Sequence, residues 1–595
     1  MKPVLVFDGE CGFCRDWVER WRARTGDRVD YVPLQQPGVL QRLGIPRSDA
    51  LRSVQLVTPD GNRFGAADAV FRTVEYAPEL RHVARFGRLP LLRTIANFVY
   101  RQIAIRRGLA ASVDRLLVGK TTRPPDSRLV RNAFMRALGG VYLIAFASLG
   151  RQVKGLYGRR GIEPIDDFLQ FLRKRVSKRE RLTQYPTVFW LDSSDAALVR
   201  ACRAGEVGGA LMMLGIAPRT TAAVLWLLYL SFVSVGRDFL AFQWDVLLLE
   251  NGLHALVLAP SRNNERPPWA AVALMRLLAF RLQFESGHCK LASGDKMWRS
   301  GDACCVHFET QPLPTRGGWY AHQAPRQMKR ATTYAVLALE LGAPWLALLP
   351  RRLRHTSFAL LVGLQILIAA TGNYGFFNLL TIVDNLWFLD DAVLARTAER
   401  GRQTPRWRRL AITLAALPIA AISISRLVSR VFRRGRIPKP VRTLEDRLSP
   451  LRSVSSYGLF AVMTTERPEI VIEGSDDAVT WREYGFRYKP GDLKRPPRWA
   501  APHQPRLDWQ MWFAALGPAP SWFYQLLERL LEGAPDVLAL FEHNPFPDHA
   551  PKYVRALLYD YHFTDRATQR REGTWWRRDL LGAYVPIVEL ADRRR

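Results

Sequence analysis

Hydrophobic and polar positions change character three times along this chain. Val4–Leu5–Val6–Phe7 is a short apolar run and reads as a buried strand. Asp8–Gly9 marks a turn, and the mixed stretch Arg15–Asp16–Trp17–Val18–Glu19–Arg20–Trp21 reads as a helix over 14–24. A second strand-like run at 29–33 completes a βαβ unit. Runs at 54–57 and 63–65 flank Thr58–Pro59–Asp60–Gly61–Asn62 and predict a hairpin, with helices expected over 67–75 and 85–107. From 133 onward apolar stretches recur at 134–149, 222–235, 239–258, 331–349, 358–370, 376–389 and 410–424. Several are shorter than a full membrane span, and about six spans are expected. From about 440 the pattern turns polar again. Strand-like runs at 469–473 and 481–488 alternate there with helices expected at 521–533, 537–542 and 552–559.

These shifts divide the chain into a small α/β domain over 1–115 with a thioredoxin-like order of elements, a basic linker over 116–132, a polytopic helical membrane domain over 133–440, and a soluble α/β domain over 453–592. The formal charge of +32 raises the question of nucleic acid, but its distribution argues against it. The basic residues cluster at 101–107, 151–181, 351–354, 402–409 and 426–436, between apolar stretches, as Lys and Arg do where membrane helices meet headgroups. No nucleic-acid partner is expected; a lipid bilayer is. The chain opens on Met1–Lys2–Pro3 and runs straight into a strand too short for a secretory signal, which places the first domain on the cytoplasmic side.

The chemistry is concentrated at Cys11–Gly12–Phe13–Cys14. A dithiol at a helix N-terminus is a redox device, because the helix dipole and its free N–H groups stabilise thiolate. Cys11, nearer the end, is the expected attacking thiolate; Cys14, inside the first turn, is the expected resolving thiol; Asp8 shapes the turn or relays protons. Half of a zinc site is the competing reading, but residues 15–81 hold no second Cys/His pair, and no metal is expected. No cofactor beyond the dithiol is called for.

A second group of residues is polar within apolar surroundings. Gln243, Asp245, Glu250 and His254 fall in one apolar stretch, with Glu250 and His254 on one helix face. Arg281, His307 and Glu309 follow, near Arg276, Glu285, His288 and Lys290. Ionisable groups at membrane depth face a cavity or a partner, so these seven define either a candidate polar membrane site or packing hydrogen bonds and salt bridges. Cys289, Cys304 and Cys305 share one loop and would pair if it faced an oxidising compartment; buried free thiols are the alternative. The string Arg506–Leu507–Asp508–Trp509–Gln510–Met511–Trp512 reads equally as a protein-binding patch or as core.

Two resemblances sharpen this picture. Asp8–Gly9–x–Cys11–x–x–Cys14, the Asp60–Gly61 hairpin, Gly65–Ala66–Ala67–Asp68–Ala69 and the tail from Tyr100 to Arg107 resemble the DCC thiol-disulfide oxidoreductase family over about 115 residues. Ordinary thioredoxins carry a proline beside the dithiol where this chain has Arg52–Ser53–Val54. Phe242–Gln243–Trp244–Asp245, His307–Phe308–Glu309–Thr310–Gln311–Pro312, Thr371–Gly372–Asn373–Tyr374–Gly375, Arg506–Leu507–Asp508–Trp509 and Gly573–Thr574–Trp575–Trp576 resemble the lipase maturation factor family, which implies a membrane protein that helps lipases mature. The expected function is therefore a membrane-bound thiol-disulfide oxidoreductase fused to a maturation factor for exported proteins. Its expected partners are a client protein such as a lipase and a cellular thiol redox carrier. Two alternatives are a membrane enzyme distantly similar to vitamin K-dependent carboxylases, with the dithiol as reductant, and a scaffold that localises the oxidoreductase.

Overall fold

The computed structural model describes residues 2–77, 80–119, 126–260, 264–395, 401–432 and 437–590. Residues 120–125 of the expected linker, and 433–436 at the end of the last basic run, lie outside that set. The chain divides into two compact units: Met1–Asp126 with Leu349–His355, and Ser127–Leu348 with Thr356–Arg595.

The first unit comprises β1 (Val4–Phe7), α1 (Gly12–Thr25), β2 (Asp30–Pro33), β3 (Gln55–Val57), β4 (Arg63–Gly65), α2 (Ala66–Glu75), α3 (Pro90–Ile105) and α4 (Arg107–Leu117), with shorter helices between. The sheet order is β2-β1-β3-β4. β2 runs parallel to β1, and the other pairs are antiparallel. A parallel pair needs a crossover, which α1 supplies. Successive residues of β1 point to opposite faces, and both faces are covered. Leu5 packs with Val18 of α1 and Ala69 of α2, whereas Val6 packs with Leu34, Ile45 and Ala50. That is why β1 reads as an unbroken apolar run rather than an alternating one. The expected linker starts later than its basic composition indicated. α4 runs to Leu117, and the Arg20 guanidinium holds both Asp114 oxygens at 2.8 and 2.9 Å and donates to the Gly119 carbonyl.

The second unit opens with α5 (Arg128–Gly150), followed by α6 (Asp195–Leu214), α7 (Pro218–Val235), α8 (Gln243–Leu258), α9 (Trp269–Ala292), α10 (Arg326–Leu346), α11 (Arg351–Thr371, whose first residues belong to the first unit), α12 (Phe377–Asn385) and α13 (Arg406–Val431). Among the described residues four helices are long and apolar enough to cross a membrane: α5, α7, α11 and α13. Three further apolar stretches fall short: α8 has 16 residues and α12 has 9, and α10, with 21, is not apolar enough. α5 and α6 approach closely through glycines. A Cβ on Gly209 would sit 2.7 Å from the Leu143 backbone nitrogen, and one on Gly139 would sit 2.7 Å from that of Met213.

The C-terminal residues build an antiparallel sheet, ordered β6-β5-β7-β8, from β5 (Pro468–Ser475), β6 (Arg482–Glu483), β7 (Tyr553–Phe563) and β8 (Trp576–Glu589), with α14 (Arg506–Ala515) beside it. The helix expected at 552–559 is strand β7, paired with all eight residues of β5. Its Val554, Ala556, Tyr561 and Phe563 are buried, so pairing and packing override a weak helical preference. Likewise only Arg482–Glu483 of the run at 481–488 forms strand, and the helix expected at 537–542 is the short turn Pro535–Leu538. α14 is core: Leu507, Trp509, Met511 and Trp512 are all buried, which decides against an exposed binding patch.

Candidate active site

The dithiol sits where β1 hands over to α1. Cys11 is the N-cap: its backbone is extended (φ −76°, ψ 110°), and its sulfur accepts the backbone N–H of Cys14 at 3.4 Å. A cysteine sulfur thus occupies the place usually taken by a serine or aspartate oxygen, on the positive end of the helix. Both thiols are free and half-buried. Burial, then the hydrogen bond and charge of Cys11, push the Cys14 thiol up to about 12; Arg107 opposes this. Cys14 therefore stays protonated near neutrality.

The turn before the dithiol is built around Asp8. Its Oδ1 accepts from the Glu10 backbone N–H at 3.1 Å and from Gln35 Nε2 at 2.9 Å, and its Oδ2 pairs with Arg107 at 3.2 Å. Gly9 is required by close approach, since a Cβ there would lie 2.8 Å from Cβ of Pro33. Asp8 thereby ties β1, the residues just after β2 and the start of α4 together around Cys11.

Beside Cys14 opens a cleft of about 180 Å³, walled by Phe13, Trp17 and Trp21 of α1, by Ser53 and Val54 before β3, and by Tyr100, Ile103 and Ala104 of α3, with Asp8 and Arg107 also lining it. Phe13, Trp17 and Trp21 form an aromatic ladder with centroids 6.3 and 6.0 Å apart. The Tyr100 hydroxyl accepts the Val54 backbone N–H at 3.0 Å, and burial raises the Tyr100 pKa. The indole N–H of Trp17 is buried and has no partner among the described residues, leaving a donor in the cleft wall. The aromatic wall is foreshadowed in the sequence by the spacing of Trp17 and Trp21, three and seven residues after Cys14. The part played by Tyr100 and Arg107 depends on a contact across the fold and has no local signal.

The second set of candidates is brought together only in part: Gln243, Glu250 and Arg281 meet at residues 455–458. Gln243 Oε1 accepts from the Gly458 backbone N–H at 3.1 Å. Asp245 lies between Arg506, at 2.8 and 3.0 Å, and the Tyr229 hydroxyl, at 2.5 Å. Glu250 and Arg281 do meet, at 2.9 Å, and Glu250 also accepts from the Tyr457 hydroxyl at 2.6 Å. His254 is buried with neither ring nitrogen hydrogen-bonded among the described residues. His307 lies 3.2 Å from the Tyr374 hydroxyl, and Glu309 accepts from the Phe563 backbone N–H at 2.6 Å. Arg281, Glu285 and Lys290 are on α9 and ion-paired with Glu250, Arg430 and Glu340. Apart from His254, each group is spent on holding elements together. Cys289, Cys304 and Cys305 are free thiols.

Family comparison accounts for both units. A model described as DCC1-like thiol-disulfide oxidoreductase matches residues 5–111. The lipase maturation factor transmembrane domain matches 129–396, and the lipase maturation factor C-terminal domain matches 453–586. Lipase maturation factor 2 of Xenopus laevis is 34% identical over 78% of this chain and 83% of its own length. The chain belongs to the lipase maturation factor family. Human lipase maturation factor 2 is 33% identical over 78% of this chain and 83% of its own length, and bovine lipase maturation factor 1 is 32% identical over 78% and 90%. No solved structure matches. Asp245 and Arg506 fall one in each of the two lipase maturation factor matches, whereas the dithiol belongs to the separate N-terminal match.

Proposed function

We propose that this lipase maturation factor relative is a multi-pass membrane protein whose thioredoxin-like N-terminal domain, on the cytoplasmic side, exchanges disulfides in support of the maturation of exported proteins such as lipases. The observation that carries this reading is the free Cys11–Cys14 pair capping α1 beside an apolar cleft. The sheet order β2-β1-β3-β4 with its single parallel pair supports the thioredoxin-like assignment. The Cys11 thiolate attacks one sulfur of a partner disulfide; that S–S bond breaks, and the partner's other sulfur leaves as thiolate. Cys14 then gives up its proton and attacks Cys11, releasing the second partner thiol. Two electrons and two protons pass to the partner, and Cys11–Cys14 becomes the disulfide, which a cellular thiol carrier reduces again. A cytoplasmic position favours this reducing direction.

Trapping tests the proposal. The full-length Cys14→Ala variant in membranes cannot resolve, so a mixed disulfide on Cys11 should accumulate and be identified by mass spectrometry. An exported protein, or a thiol carrier that serves one, is the expected captive. If Cys11 captures nothing while its thiol alkylates freely, the dithiol does no exchange and the proposal fails.

A further inference from the structure

α3 and α4 carry large apolar side chains that the fold leaves in solvent. Phe98 is 63% exposed, Ile105 76%, Leu109 62% and Leu116 68%. Ile95, Val99 and Val113 are exposed as well. The spacing is helical: 95, 98 and 99 recur on one side of α3, and 109, 113 and 116 on one side of α4. The opposite side of α3 is spent on the dithiol cleft, through Tyr100, Ile103 and Ala104. An amphipathic helix normally turns its apolar stripe inward; here a second apolar stripe is turned outward. Soluble surfaces seldom gather so many large apolar side chains on neighbouring elements unless something covers them.

The charge around these stripes says what. Arg93 and Arg101 are exposed on α3 and Arg115 on α4, and Arg106 is exposed at the junction between them. The single acid in 90–117 is Asp114, buried and neutralised by Arg20. An apolar stripe bordered by arginines with no exposed acid is the composition of a helix lying in the plane of an anionic lipid surface. Chain connectivity keeps such a surface within reach. α4 ends at Leu117, and α5, a candidate membrane span, begins at Arg128. A connection of that length spans at most about 40 Å when fully extended.

We infer that α3 and α4 form a membrane-docking face, which inserts Phe98, Ile105, Leu109 and Leu116 among the lipids and sets the exposed arginines against anionic headgroups. The dithiol domain then rests on the bilayer surface rather than swinging free on its tether.

The test uses the full-length protein reconstituted in nanodiscs that contain phosphatidylglycerol with a photoreactive group near the headgroup. After illumination, lipid adducts are mapped by peptide. Adducts on peptides covering 93–117 are expected, in addition to those on the spans. They should fall at least about threefold in discs of phosphatidylcholine alone or in high salt, as a headgroup contact requires. In the variant F98S/L109S/L116S they should disappear while adducts on α5 and α13 persist. Alkylation of Cys11 and Cys14 at wild-type rates in that variant shows that the domain remains folded. Adducts confined to the spans overturn the inference, as does cross-linking of 93–117 to a second copy or to another part of the chain. Adducts indifferent to lipid charge and salt overturn the headgroup recognition.

Discussion

Replacing Arg506 by methionine removes the cation that neutralises Asp245, and the structure sets the size of the effect. Both side chains are completely buried. The guanidinium makes two charge-assisted bonds to the carboxylate, at 2.8 and 3.0 Å, and a third to the Phe239 carbonyl at 2.6 Å. Removing one partner of a buried pair leaves an uncompensated charge and costs about 3–5 kcal/mol. The Tyr229 hydroxyl still donates to Asp245 in the variant, which puts the expectation near the lower figure, about 3 kcal/mol. The double variant R506M/D245L removes both charges. It leaves mainly the Tyr229 hydroxyl unpaired, at about 1 kcal/mol, so the two substitutions should couple by about 2 kcal/mol or more. The assay is thermal unfolding of the purified protein in detergent, followed by tryptophan fluorescence. At roughly 1 °C per kcal/mol for a folding unit of this size, R506M should lower the midpoint by about 3 °C, and the double variant should recover more than half of that loss. A drop under about 2 °C in R506M, or a double variant as unstable as the sum of the singles, would refute the reasoning.

Two further outcomes follow from single positions. Cys14, pushed up to about 12 chiefly by burial, ionises more readily in the unfolded chain, where a thiol titrates near 8.5. Its contribution to the stability of the first unit is therefore complete below about pH 8.5 and is lost as pH rises toward 12. Iodoacetamide labelling of Cys14 in the reduced, folded protein should accelerate about tenfold per pH unit from pH 8 to 10, and a plateau by pH 9 would contradict the shift. Gly155 lies against the backbone of Asp536, where an added Cβ would sit 2.3 Å from the carbonyl oxygen. Gly155→Ala should cost about 1–3 kcal/mol by overpacking, read as a lowered thermal midpoint, and a wild-type midpoint would show that this contact can relax.

What the sequence disclosed and what it withheld divide along the range of the interactions. The strand–turn–helix around Cys11 and Cys14 is local: an apolar run, an Asp-Gly turn and a helical stretch each carry their own signal within 25 residues. Apolar runs also mark α5, α7, α11 and α13, although length alone does not single them out, since the longer runs at 239–258 and 331–349 give no candidate span. β7 is the opposite case. Its sequence Tyr553–Val554–Arg555–Ala556–Leu557–Leu558 tolerates a helix, and only pairing with β5, some eighty residues earlier, makes it a strand. Asp245 and Arg506 stand 261 positions apart, so each was visible as an ionisable residue in apolar company and their union was not. An ionisable residue in apolar company looks the same in sequence whether it serves a site or an ion pair, so both readings stay open until the partner is known.

The polar groups of the helical middle lead to an argument about what can be separated. Glu250 on α8 accepts from the Ser455 backbone N–H at 2.9 Å and from the Tyr457 hydroxyl at 2.6 Å. Glu285 on α9 accepts from the Tyr457 backbone N–H at 3.0 Å, and Gln243 accepts from that of Gly458 at 3.1 Å. Arg281 donates to the Ser455 carbonyl as well. Four helix-borne side chains thus converge on residues 455–458, the start of the C-terminal match. Each would be left with an unmet buried hydrogen bond or charge if that segment were removed, at about 1–3 kcal/mol for each neutral group and more for the carboxylates. The helical middle and the C-terminal sheet therefore form one folding unit. A chain cut near 450 should lose the membrane body together with the sheet, whereas removal of residues 1–119 leaves these contacts intact.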